Sequence, residues 1–226
     1  MIPPVRLVVP VAAIAAPLAV PLGAQADDLV RPVFRHTPGS TVQHWDFSAG
    51  AAGGTPDAPP YSNPYGMPVL VPGAGTSWRQ AEPERRERDG TITAARRGVW
   101  MVDAGTSLEF RVPSDRARPT GRFVQVQVTY IGSVPEVIVG GLERGEACPG
   151  TLIAFSERAL EDGWTHGVWE FSVPGCPGGQ LVTVLVPATA AGSVLDQVVI
   201  DTFIVPEGAA GGLLLAAMAA GRRRRR

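Results

Sequence analysis

The chain has no lysine: its 20 basic residues are all arginine. That removes the amine needed for a Schiff base and the lysine of a phosphate-binding P-loop. Histidine is scarce, with only His36, His44 and His166, and there is no Gly-x-Ser-x-Gly elbow and no His-Glu-x-x-His pair. Serine-hydrolase and zinc-protease chemistry therefore lack their local signatures. Two cysteines without a neighbouring histidine or third thiol exclude a zinc cage, so neither a metal nor a cofactor is expected. Charged residues make up only 18% of the chain, and no long run repeats apolar residues at helical spacing, which argues against an α-bundle. Positive charge is also missing where a nucleic-acid binder needs it. From Asp27 to Pro206 there are 14 Arg against 20 acidic residues, about −6, so nucleic acid is not an expected partner.

What is abundant is turn chemistry and short apolar alternation. The 226 residues include 27 Gly and 22 Pro, a balance that suits many short strands. In Ser107 to Val112, Leu108, Phe110 and Val112 fall on one face, and Glu109 and Arg111 on the other. Phe123 to Tyr130 alternates Val124, Val126, Val128 and Tyr130 against Gln125, Gln127 and Thr129. Further strands are predicted at 168–173, 181–186 and 194–205, with shorter ones at 41–47, 69–71, 91–93, 99–102 and 137–139. Trp45, Trp100 and Trp169 lie in these patterns and are expected in the core. The fold class is all-β: a single antiparallel β-sandwich of jelly-roll type over residues 27–204, with strand order not derivable. Residues 48–68 read as a long Gly/Pro loop, and the charged stretch 81–90 as a solvated turn or short helix.

Both ends read as addresses. Arg6, an apolar stretch from Leu7 to Leu22, and Ala24-Gln25-Ala26 make a signal peptide over residues 1–26, a signal helix cleaved after Ala26. Its partners would be the Sec translocon and signal peptidase. In an oxidising compartment Cys148 and Cys176 can pair as a disulfide. At the other end come Val205, Pro206, Glu207 and Gly208, a small-residue and Leu stretch from Ala209 to Gly221, and Arg222, Arg223, Arg224, Arg225 and Arg226. The apolar part, 13 residues, would make a helix of roughly 20 Å against a hydrocarbon core of about 30 Å, so it suits a transient stop better than a permanent anchor. The arginine cluster would hold its end on the cytoplasmic side.

The order of a Pro-Glu motif, a short hydrophobic helix and a terminal arginine run over residues 205–226 resembles the PEP-CTERM sorting tail of bacterial exported proteins. Pro206 and Glu207 match the first two positions of the family's Pro-Glu-Pro, and Gly208 stands at the third. The resemblance implies recognition and cleavage by an exosortase-like enzyme after transient membrane retention, and a final location at the cell envelope, outer surface or extracellular matrix. A shorter set, His44-Trp45-Asp46-Phe47, Asn63-Pro64-Tyr65-Gly66 and Arg97-Gly98-Val99-Trp100, looks like uncharacterised exported sandwich proteins of planctomycete-like bacteria, and implies no activity.

No catalytic constellation emerges, and a non-enzymatic envelope or matrix protein of unknown molecular activity is the leading expectation. His44 and Asp46, two apart on a strand, could begin a metal or acid/base pair, although the alternation of Trp45 and Phe47 is the stronger pattern there. The alternative is a carbohydrate-binding module for extracellular polysaccharide. Trp78, Trp164, Tyr61 and Tyr65 sit in Gly, Pro or polar surroundings and are candidates to stack on sugar rings. A third option, a glycoside hydrolase or lyase, needs two carboxylates roughly 5 to 10 Å apart in a cleft.

Overall fold

The structure is a computed structural model that describes residues 29–47, 54–56, 63–86, 90, 92–115, 121–143, 146–175 and 178–205. The expected signal helix and the tail beyond Val205 lie outside the described residues. Among those described there is no helix. Fourteen strands run from β1 (Ser40–Trp45) through β2 (Val69–Pro72), β3 (Thr76–Glu82), β4 (Arg85–Arg86), β5 (Ile92–Thr93), β6 (Arg96–Val102), β7 (Ser107–Val112) and β8 (Arg122–Gly132). They continue with β9 (Glu136–Glu143), β10 (Glu146–Pro149), β11 (Thr151–Ala159), β12 (Thr165–Val173), β13 (Gln180–Leu185) and β14 (Ser193–Ile204).

Two antiparallel sheets form a β-sandwich. The first has the order β11-β12-β8-β14-β6-β3, with β1 also paired to β14; the second has the order β10-β9-β13-β7-β2. Alternation explains the core between them. Val124, Val126, Val128 and Tyr130 of β8 meet Leu108, Phe110 and Val112 of β7 and Val182 and Val184 of β13, all buried. Trp45, Trp100 and Trp169 join this core as expected, and Trp45 packs edge-on against Phe110 at 4.8 Å.

β10 and β11 are nearly continuous but belong to different sheets, and Gly150 makes the corner. Its amide donates to the Val139 carbonyl at 2.7 Å, and a Cβ there would stand 2.7 Å from that oxygen. Only glycine allows the two sheets to approach so closely at this edge.

The other face of the first sheet is covered too. Residues 30–37 cross it as a strap, with Phe34 stacked on Phe203 and edge-on to Phe123, both at 5.4 Å. Arg35 donates to both oxygens of Asp201, Nε to Oδ1 at 2.6 Å and Nη2 to Oδ2 at 2.5 Å, with side chains 3% and 0% exposed. The Val30 amide donates to Gln127 Oε1 at 3.1 Å. Gln125, Gln127 and Thr129, the polar side of the β8 alternation, are consequently buried rather than solvated.

The charged stretch at 81–90 departs from the turn or short helix expected of it. Glu82 ends β3 and is buried, and Arg85 and Arg86 pair antiparallel with Thr93 and Ile92, while residues 87–89 lie outside the described residues. β3, β10 and β11 also went unpredicted, because their apolar residues do not alternate cleanly.

Candidate functional site

Each residue singled out in the sequence has a definite fate. Trp164 is wholly buried, which corrects its expected role as an exposed sugar platform. Its indole packs with Val99 and Val194 on the outer side of the first sheet and donates from Nε1 to the Ala94 carbonyl at 3.0 Å. Trp78 on β3 is half-buried against the core and donates from Nε1 to the Phe47 carbonyl at 3.1 Å, so its indole is tied into the fold. Tyr65 is half-buried in a turn where Asn63 Oδ1 accepts its amide at 2.9 Å, while Tyr61 lies outside the described residues. Trp78, Trp164 and Tyr65 are not brought together as one surface.

His44 is buried on β1 opposite Val199, and Asp46 follows the last residue of that strand. His166 is buried as well. Gln127 Oε1 lies 3.2 Å from its Nε2, and an amide oxygen can only accept, so Nε2 donates; Nδ1 lies 3.1 Å from the Thr129 hydroxyl. The imidazole sits inside the sheet, where no soluble substrate reaches it. Cys148, in β10, is disulfide-bonded; Cys176 lies outside the described residues. Val205 ends the described chain, its amide donating to the Gly121 carbonyl at 2.8 Å.

Paired carboxylates do occur, but around an arginine. An open depression of about 360 Å³ is lined by Leu29, Arg96, Arg158, Glu161 and Asp162. Within it Arg96 pairs through Nη2 with Asp162 and through Nη1 with Asp196 at 2.6 Å, and its guanidinium lies 5.1 Å over the Trp164 ring.

The feature that sequence reading missed lies on β11. This strand is the free edge of the first sheet, and its register with β12 sets Leu152 opposite Phe171, Phe155 opposite Trp169 and Glu157 opposite Gly167. Phe171 and Trp169 face the core, so Leu152, Phe155 and Glu157 share that inward side. Yet Leu152 is 50% and Phe155 44% exposed, which leaves an apolar shelf along this edge strand. The Phe155 ring lies on Trp169 with centroids 4.8 Å apart and planes tilted by 34°. Gly167 makes room for that indole, since a Cβ there would overlap its six-membered ring.

Beside the rings, the Tyr130 hydroxyl donates to Glu157 Oε2 at 2.9 Å. Burial, reinforced by the neighbouring Glu157, pushes the Tyr130 phenol well above its ordinary range, so it stays protonated and donating. The carboxylate is pinned through one oxygen while its side chain remains exposed. The signal was present as three apolar residues in Leu152, Ile153 and Phe155, but a classical bulge between Leu152 and Ala154 shifts the register and hides the alternation.

No protein-family model matches the chain, and no curated protein matches it. Among solved structures, one match is titled "Carbohydrate binding module (CBM6cm-2) from Cellvibrio mixtus lichenase 5A in complex with cellotriose". It is 14% identical, with a TM-score of 0.29, over 58% of this chain and 95% of that one. Similarity that loose transfers no site.

Proposed function

We propose that this chain is an exported, non-enzymatic protein of the cell envelope or extracellular matrix, a jelly-roll sandwich carried between two sorting signals. The observation that carries the proposal is the pair of sequence patterns at the two ends, a positive start and apolar stretch closing on Ala24-Gln25-Ala26 and a Val205-Pro206-Glu207 motif followed by an apolar stretch and five arginines, set around residues that fold as an antiparallel β-sandwich. That pattern fits a division into signal peptide, sandwich and PEP-CTERM-like tail, processed by signal peptidase and an exosortase-like enzyme after passage through the Sec translocon.

The strand orders support the jelly-roll reading. From β6 onward the chain alternates between one sheet in the order β6-β14-β8-β12 and the other in the order β7-β13-β9-β10, all antiparallel neighbours, which is the strand order of a jelly roll. The Cys148–Cys176 disulfide is supported by the bonded state of Cys148, since Cys176 is the chain's one other cysteine.

Intact mass spectrometry of the protein recovered from its own cells tests the proposal. The expected mass begins at Asp27, ends near Pro206 and is two hydrogens below the reduced value. A full-length polypeptide in the cytosol would overturn it.

A further inference from the structure

The shelf on β11 has the parts of a sugar-binding site that differs from every aromatic the sequence put forward. An exposed ring offers an apolar face of the size of a pyranose, and it is rigid because it rests on the Trp169 indole. A carboxylate stands two residues along on the same side of the strand, one oxygen fixed by Tyr130 and the other able to accept from a hydroxyl. β11 is also a sheet edge among the described residues, so one side of its backbone is left without a neighbouring strand to take up its N–H and C=O groups. Ring, carboxylate and edge together match a molecule that is apolar on one face and rich in hydroxyl groups around its rim.

We infer that Phe155, Leu152 and Glu157 bind neutral pyranosyl residues of a polysaccharide chain, the sugar's C–H face lying on Phe155 and a ring hydroxyl donating to Glu157. Neutral sugars are specified by charge. Glu157 would repel a uronate or sulfate placed on the shelf, and the shelf side carries no described cation to offset it, since Arg158 projects to the opposite side of the strand opposite His166. The site acts by contact alone and needs no bond-making step. It stands apart from the sorting proposal, because binding is a property of the body however the chain is delivered.

Affinity gel electrophoresis of the chain purified from its own cells tests this, with soluble cellulose ether, xylan, galactan and mannan as neutral probes and polygalacturonate as the anionic one. At least one neutral polysaccharide should retard the protein, and polygalacturonate should not. Phe155→Ala should weaken that retardation about tenfold or more, in line with loss of an aromatic face. Phe155→Tyr should keep it. Glu157→Ala should weaken it severalfold, and Glu157→Gln, which retains an acceptor oxygen, should weaken it less. Ile138→Ala, an exposed residue on the other sheet, should leave it unchanged. Unaltered circular dichroism of Phe155→Ala would separate loss of binding from loss of fold. The inference is overturned if no neutral polysaccharide retards the protein, if polygalacturonate alone does, or if retardation survives both alanine variants.

Discussion

Replacing Arg35 by Ala strands a carboxylate inside the protein. Asp201 is wholly buried on β14, and Arg35 supplies donors to both of its oxygens from the strap that crosses the sheet. Charged hydrogen bonds are each worth roughly 1.5–3 kcal/mol, and removing one partner of a buried pair costs about 3–5 kcal/mol because the remaining charge is left in a poorly polarisable interior. Against a typical folding stability of about 5–15 kcal/mol, that is a third or more of the total. The expected readout is equilibrium urea unfolding, in which a loss of about 4 kcal/mol at a slope near 2 kcal/mol per molar lowers the midpoint by about 2 M. Asp201→Ala should lose a comparable amount. The double variant should lose much less than the sum, because neither charge is then left behind. Hydrogen exchange at the Val30 amide, anchored on the same strap, should quicken in Arg35→Ala. A loss below about 1 kcal/mol, or additive single variants, would refute the claim that this pair clamps the strap.

Three other outcomes follow from specific contacts. Tyr130 has a phenol pKa raised in the folded protein, so above about pH 10 the unfolded chain gives up a proton that the folded one keeps; stability should fall as pH rises past that point, and Tyr130→Phe should flatten the decline in pH-dependent unfolding. Gly167→Ala, ordinarily favourable in a strand, should here cost about 1–3 kcal/mol and alter the near-ultraviolet signal of Trp169, because the new Cβ meets a packed indole; unchanged stability would be the opposing result. Cys148→Ser should cost about 3.5 kcal/mol if the thiol closes a loop of about 29 residues with Cys176, measured as a drop in thermal midpoint that reducing agent does not deepen.

Residue order alone determined the strands whose two faces differ. β7 runs from Ser107 to Val112 as the alternation predicts, and β8, β12, β13 and β14 depart from their expected limits by only one to three residues. Alternation is local, written in side chains two apart, so it can be read without knowing what covers either face. Coverage is not local. The strap that buries Gln127 and Thr129 comes from residues about a hundred positions earlier, and Trp164 is sealed by strands distant in the chain, so neither could be placed by its neighbours in sequence. Nor could the shelf. Phe155 sits in an apolar stretch that suggests a core, yet on the edge strand of the first sheet it is 44% exposed. The chain's order specified which residues prefer an apolar surface; tertiary packing alone decided which of them were given one.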